Sequence, residues 1–295
     1  MRFPAVFTAI TDVMMGILVT CGTLVPYWQS GLLIAASAGM YLAGMVLNDV
    51  FDADLDARER PERPIPSGRI TLAAAQQLGS TLLSGGVMLA WIVALLADSW
   101  RPGVVGTLLL ACILLYDGLL KQLAIAPLVM GACRFLNVLL GMSLAKDAAT
   151  PTSFRPWTTA EWLVAAGLGI YVVGVTIFAR TEADAGPRKG LAIGIGVMLA
   201  GIALLGYGAV HVGNESRFRW IVWIVVSIYI ALRHALALMS NDSQSVQRSV
   251  RIALRMLIFL DFLVAFEAAP HSGGCMLILL LYVPMLALEY WFSTT

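Results

Sequence analysis

Charged side chains are scarce in this sequence. Asp, Glu, Lys and Arg make up 13% of its 295 residues, whereas a soluble globular protein carries about 25%. Hydrophobic residues reach 59%, which leaves too few polar side chains to cover a soluble domain. The 19 basic and 18 acidic side chains nearly cancel, which excludes the global positive field expected of a nucleic-acid-binding protein. The composition therefore indicates an integral membrane protein.

Cysteine and histidine are also rare, with four and three copies in the chain. Each cysteine lies in its own apolar run, with no Cys-x-x-Cys pair and no histidine beside it. This spacing predicts neither a zinc site nor a disulfide framework. We interpret the cysteines as small apolar residues packed between helices.

Apolar runs of the length needed to cross a bilayer, about 20 residues, recur along the whole chain. Short connections separate them and no soluble domain remains, so residues 1–295 are predicted to form one domain. Its predicted fold is an all-α, polytopic transmembrane helical bundle of nine or ten spans. The candidate spans are Val6–Val25, Gly31–Asn48, Leu72–Leu96, Gly103–Leu119, Ala126–Ala145, Trp162–Ala179, Gly190–His211, Phe218–Met239, Val250–Ala268 and Cys275–Trp291.

Lys and Arg are unevenly distributed between the two sets of connections. If the N-terminus lies in the cytoplasm, 13 of the 19 basic residues fall on the cytoplasmic side and five on the other. Basic residues favour cytoplasmic loops, so the connections after spans 2, 4, 6 and 8 are predicted to be cytoplasmic. Any chemistry built on their charged residues belongs to that face.

The connection after the second span contains a dense group of charges. Asp49, Asp52 and Asp56 are spaced i, i+3 and i+7, which places them on one face of a helix. Such carboxylates repel each other unless a cation neutralises them, and oxygen ligands without His or Cys favour Mg²⁺. Arg58 and Arg63 follow closely, and guanidinium groups suit phosphate oxygens. The pattern indicates either a Mg²⁺-diphosphate site or a solvated acidic loop balanced by arginines.

The whole string from Asn48 to Gly68 is more specific than its charges. N-D-x-x-D-x-x-x-D, followed by R-P-x-R-P-x-P-S-G, resembles the first aspartate-rich motif of the UbiA-type intramembrane prenyltransferases. The resemblance implies a helical bundle around a membrane cavity that opens sideways to lipid. It also implies that Mg²⁺ bridges the aspartates to an isoprenyl diphosphate, which ionises to a carbocation that an aromatic or other small acceptor captures.

A second acidic motif, approximately D-x-E-x-D, is implied after the sixth span. Glu182 and Asp184 match it, but Arg180 stands where the first aspartate would be. Either the remaining two carboxylates bind a second Mg²⁺, or Arg180 contacts the diphosphate directly. An ordinary charged loop is the alternative.

The end of the fourth span resembles a Tyr…Lys element of the same family. Here Tyr116 and Lys121 are one residue further apart than the resemblance implies. Lys121 is interpreted as a diphosphate ligand, and the alternative is an interfacial tyrosine with a snorkelling lysine.

Arg134 and Asn137 lie inside the fifth span, with Arg134 roughly 12 Å below its end. An ionised group at that depth marks function by default. It either pairs with Asp261 of the ninth span or lines the cavity near the diphosphate or the acceptor. The sequence around Arg134 and Arg180 also resembles the EboC-like subgroup of the superfamily.

The sequence thus predicts an integral-membrane, Mg²⁺-dependent prenyltransferase with its site on the cytoplasmic face. A transporter or carrier of a prenylated or diphosphate-bearing molecule on the same fold is the alternative. The predicted partners are an isoprenyl diphosphate donor, a small acceptor and membrane lipid, without nucleic acid. The predicted residues are Asp49, Asp52 and Asp56 for catalysis and metal, Glu182 and Asp184 for metal, and Asn48, Arg58, Arg63, Lys121, Arg134, Asn137 and Arg180 for the diphosphate.

Overall fold

The computed structural model describes residues 3–145, 157–183, 188–213, 217–240 and 243–294. Within these ranges all regular elements are helical, which confirms the predicted all-α class. A 3₁₀ turn (Phe3–Ala5) precedes the first helix, and a π-helical turn (Tyr116–Leu120) follows the fifth. The helices are α1 (Val6–Cys21), α2 (Tyr27–Phe51), α3 (Ala53–Glu59), α4 (Leu72–Leu96), α5 (Arg101–Leu115), α6 (Ala126–Met142), α7 (Thr159–Ala183), α8 (Arg188–Val212), α9 (Arg217–Ser240), α10 (Ser243–Ala268), α11 (Gly273–Leu280) and α12 (Tyr282–Thr294).

Each predicted span coincides with a helix or a helix pair. Over the described residues, seven segments are long and apolar enough to cross a membrane. Two shorter apolar helices, α1 and α6, lie in the buried centre of the bundle. The α10 helix has sufficient length at 26 residues but a more polar sequence, as expected from its four charged side chains after position 250. Nine or ten spans are compatible with this arrangement.

Several helices end one to four residues away from the predicted spans, and two of the differences affect the reading of the chain. The α2 helix continues to Phe51, so Asn48 and Asp49 belong to its last turn and not to a connection. The tenth span is divided at Leu281 into α11 and α12. Pro284 follows the division and lacks the N–H that would donate to the carbonyl of Leu280, so the helix cannot continue uninterrupted.

Close backbone contact between α1 and α6 brings the polar residues of α6 against α1. A Cβ atom on Gly16 would lie 2.5 Å from the carbonyl oxygen of Val138, and one on Gly141 would collide with the carbonyl group of Val13. Small residues at such crossings allow membrane helices to approach backbone to backbone. The α1–α6 contact therefore depends on glycine at both positions.

We predict that Gly141→Ala lowers the free energy of unfolding by about 1–3 kcal/mol, because the added methyl group overpacks the α1–α6 contact. Thermal unfolding of the detergent-solubilised protein measures the effect. Gly85→Ala on α4 is the matched control, since a Cβ atom there meets no atom within 4 Å. Equal melting temperatures for the two variants would contradict the close contact.

Candidate active site

The end of α2 and the short helix α3 position the three aspartates. The chain bends at Asp52, with φ −89° and ψ 0°, between the two helices. Helical hydrogen bonding resumes directly after the bend, because the Asp56 amide donates to the Asp52 carbonyl at 2.8 Å. Asp49, Asp52 and Asp56 therefore stay close in space although they belong to two helices.

Arg63 joins two of these carboxylates. Its Nη1 atom donates to Asp56 Oδ2 at 2.6 Å and to Asp49 Oδ1 at 3.4 Å. The Asp56 side chain is 5% exposed and that of Asp49 is 44% exposed. One guanidinium nitrogen reaches both oxygens, so the two carboxylates are close enough to share a single cation.

The third carboxylate, Asp52, is held by residues from two directions. The Lys121 ammonium group forms an ion pair with Asp52 Oδ2, and the Asn48 side-chain amide donates to the same oxygen at 3.2 Å. Lys121 directly follows the π-helical turn, whose wider winding takes up an additional residue. This geometry explains how the longer Tyr116-to-Lys121 spacing still brings the lysine to the aspartates.

Asp117 is a further acidic residue near this cluster. It lies in the π-helical turn and is only 8% exposed. Its Oδ2 atom lies 3.9 Å from the position of a Cβ on Gly44, one turn before Asn48 on α2. The sequence places Asp117 at the right depth, but its direction toward α2 depends on the π-helical turn.

Arg180, near the end of α7, contacts the loop that carries Lys121. Its Nη1 atom donates to the backbone carbonyl of Leu123 at 2.9 Å. The end of α7 is thereby connected to the first acidic motif through residues 121–123. Glu182 lies in the last turn of α7, and Asp184 falls outside the described residues.

A cavity of about 220 Å³ opens beside the cluster. Asp49, Asp56 and Arg63 line one part of it, and Ile65 and Leu78 contribute apolar surface. The cavity is thus polar next to the carboxylates and apolar on its other walls. Arg58, a predicted phosphate ligand, is exposed on α3 and does not line this cavity.

Arg134 and Asn137 of α6 form a buried polar network with residues of α1. Arg134 donates to Asp12 Oδ2 at 2.7 Å and to the Thr8 hydroxyl at 2.6 Å. The Asn137 amide donates to Asp12 Oδ2 at 2.9 Å. The ion pair of Arg134 forms with Asp12 and not with Asp261, which was one of its two predicted alternatives. Asp12 is not among the residues predicted from the sequence.

Asp261 joins the same network from α10. Its Oδ2 atom lies 2.6 Å from the Thr11 hydroxyl, one residue before Asp12. Asp12 and Asp261 are both fully buried. A lone Asp inside the apolar run of the first span is the signal that could have identified Asp12, since ionisable residues in spans need a partner.

The carboxylates fit a hard divalent cation in their chemistry. No group of three His, Cys, Asp or Glu side chains converges as a metal site among the described residues. Mg²⁺ usually binds through one or two carboxylates together with waters and substrate phosphates. Asp49 and Asp56, whose oxygens already share one cation, provide such a pair.

A family model provides an independent assignment of the chain. The model described as the UbiA prenyltransferase family matches residues 9–263. The chain belongs to this family. The match includes most of α1, the aspartate cluster, Lys121, Arg180 and most of α10, whereas α11 and α12 lie beyond it.

Relatives with assigned functions match this UbiA family member over shorter regions. Digeranylgeranylglyceryl phosphate synthase of Methanoculleus marisnigri is 39% identical over 84 residues, 28% of this chain and 29% of the relative. The synthase of Korarchaeum cryptofilum is 27% identical over 155 residues, 46% of this chain and 55% of the relative. In both comparisons, less than two thirds of the relative's length is covered.

Two solved structures share the fold over most of the chain. A UbiA homolog from Aeropyrum pernix K1 has a TM-score of 0.69 at 20% identity, over 88% of this chain and 96% of that one. A structure from a study of digeranylgeranylglyceryl phosphate synthase in membranes has a TM-score of 0.65 at 18% identity, over 91% and 96%. These similarities confirm the UbiA-like helical bundle.

We predict that Arg134→Gln lowers the free energy of unfolding by about 3–5 kcal/mol, because it leaves the Asp12 carboxylate buried without its cation. Thermal unfolding in detergent measures this loss. The double variant Asp12→Asn/Arg134→Gln removes both charges and should recover most of the stability. Normal stability of Arg134→Gln with weakened binding of the donor would instead favour a role for Arg134 at the diphosphate.

Proposed function

We propose that this protein is a Mg²⁺-dependent prenyltransferase that uses an isoprenyl diphosphate donor and a small nucleophilic acceptor. The observation that carries the proposal is the joint placement of Asp49, Asp52 and Asp56 with Arg63 and Lys121. Carboxylates for a divalent cation and cations for phosphate oxygens are brought together at one end of a membrane bundle. Membership of the UbiA family supports the same reaction class.

The aspartates and the basic residues have complementary roles in this proposal. Asp49, Asp52 and Asp56 would hold Mg²⁺, which when bound supplies Lewis-acid activation of the diphosphate leaving group. Arg63 and Lys121 each occupy a carboxylate oxygen in the structure. With the cation bound, their N–H groups can turn to the diphosphate oxygens, where charge-assisted hydrogen bonds are strong.

The reaction breaks the allylic C–O bond, and its electron pair goes to the departing diphosphate. The resulting carbocation forms a bond with a nucleophilic atom of the acceptor, which then loses a proton. Arg63 and Lys121 stabilise the negative charge that develops on the leaving group. Apolar walls such as those of Ile65 and Leu78 limit the access of water to the carbocation.

The second acidic segment has a supporting role in the proposal. Glu182 and Asp184 are assigned to a second Mg²⁺, and Arg180 to the diphosphate. The contact of Arg180 with the Leu123 carbonyl supports this assignment, because it holds the loop of Lys121 against the end of α7. The relatives are named as synthases of digeranylgeranylglyceryl phosphate, so an acceptor built on glyceryl phosphate is one class to test.

We predict that Asp49→Ala, Asp52→Ala and Asp56→Ala each reduce donor turnover by at least about a hundredfold, because each removes an oxygen ligand of the divalent cation. The measurement is Mg²⁺-dependent pyrophosphate release from isoprenyl diphosphates of several chain lengths, with EDTA as the blank. Asp54→Ala is the matched control, since Asp54 lies in the same segment and is exposed.

Near-normal turnover in any two of the three variants would contradict the assignment of the metal ligands. Donor binding by the wild-type protein without pyrophosphate release, with every acceptor tried, would instead favour a carrier on the same fold. Each variant must elute as a monodisperse species, so that loss of turnover is not loss of the fold.

We also propose that the aspartate cluster faces the cytoplasm, as the distribution of basic residues predicts. In a variant without native cysteines, Ser67→Cys and Ala124→Cys should react with an impermeant maleimide only from the cytoplasmic side. Both positions are exposed in connections next to the cluster. Thr23→Cys, exposed in the connection between α1 and α2, is the control for the other face. Labelling of Ser67→Cys and Thr23→Cys from the same side would contradict the topology.

A further inference from the structure

A second and larger cavity lies between α1, α10 and α12, outside the aspartate cluster. Its volume is about 480 Å³, within the range of sites that bind small molecules. Its lining residues come from the start of α1, from the first half of α10 and from residues 285–290 of α12. Because consecutive spans alternate in direction, these three helix segments lie toward the same end of the bundle as the aspartate cluster.

Basic residues of α10 form one side of this cavity. Gln247, Arg251 and Arg255 line it at intervals of four residues, which places them on one face of the helix. Arg255 donates from Nε to Glu289 Oε2 at 2.8 Å, and its Nη2 atom lies 2.5 Å from the same oxygen. Glu289 neutralises only one of the two guanidinium groups, so the charged lining retains one net positive charge.

Apart from Thr8, the rest of the lining is mostly apolar or aromatic. Leu254 of α10 and Met285 and Leu286 of α12 contribute apolar surface. Tyr290, at the rim of the cavity, and Trp291 beside it are 74% and 65% exposed. Exposed aromatic residues at the end of a membrane helix mark the level of the lipid head groups. The cavity therefore combines a cationic rim at head-group depth with walls suited to hydrocarbon.

Residues of α12 distinguish this cavity from the one beside the aspartates. This helix supplies Met285, Leu286, Glu289 and Tyr290, and all four lie beyond residue 263, where the match to the family model ends. The cavity also shares no lining residue with the one beside Asp49 and Asp56. The two cavities are thus lined by different residues.

We infer that the cavity between α1, α10 and α12 binds the phosphate head group of an anionic phospholipid, with the upper part of its acyl chains against α12. Arg251 and Arg255 donate to the phosphate oxygens, as basic pockets between membrane helices do for acidic lipids. The single net positive charge matches the single negative charge of a phosphodiester head group such as phosphatidylglycerol. A zwitterionic lipid lacks this balance.

The test uses the full-length protein in nanodiscs of phosphatidylcholine alone or mixed with phosphatidylglycerol. Native mass spectrometry counts the phosphatidylglycerol retained after release from the nanodisc, and thermal unfolding measures stabilisation by the lipid. Retention should fall about fivefold in Arg251→Gln, the scale of one basic residue at an anionic membrane surface. It should fall further in Arg251→Gln/Arg255→Gln/Glu289→Gln. The Glu289→Gln change is included because the Glu289 carboxylate would otherwise lose its ion-pair partner Arg255.

Arg248→Gln is the matched control. Arg248 is exposed on the same helix but does not line the cavity, so its loss removes the same charge without changing the site. Wild type and Arg248→Gln should retain the lipid equally.

Equal retention by Arg248→Gln and Arg251→Gln would overturn the inference, since a general surface charge would then explain binding. Inorganic phosphate that stabilises the protein in phosphatidylcholine as much as phosphatidylglycerol does would also overturn it. In that outcome the cavity binds the anion alone. None of these readouts depends on prenyl transfer.

Discussion

Negative charge accumulates where α2 ends, and its neutralisation determines the path of the surrounding chain. Asp49, Asp52 and Asp56 lie within eight residues, and like charges at such separations are unfavourable without a counter-ion. Arg63 folds back from the following loop to two of them, and Lys121 approaches the third from the end of the fifth helix. The loop between α5 and α6, its π-helical turn and the end of α7 are consequently arranged around one group of carboxylates.

The fold is largely predictable because each span must satisfy the same physical requirement. A lipid-facing helix needs about 20 apolar residues, and Leu72–Leu96 was predicted with the bounds that the structure shows. Helix ends were less predictable, since α2 extends three residues past its predicted end at Asn48. Hydropathy reports where a helix leaves the hydrocarbon, and a helix can continue into the head-group region beyond that point.

The partners within the site were only partly predictable. The spacing of Asp49, Asp52 and Asp56 is local, so one sequence window contains it. The pairing of Arg134 with Asp12 depends on which helices are neighbours, and hydropathy does not specify the packing order. The contact of Arg180 with a backbone carbonyl leaves no mark in the sequence at all, because every residue carries that group.

The ion pair between Asp12 and Arg134 also constrains how the protein enters the membrane. The two residues are 122 positions apart, so several spans are synthesised before Arg134 exists. An Asp near the centre of a helix opposes insertion by about 2.5–3.5 kcal/mol, and α1 has only 16 residues with which to offset it. The native ion pair of the first helix can therefore form only after α6 has been synthesised. The native environment of the first helix thus depends on a helix that is synthesised well after it.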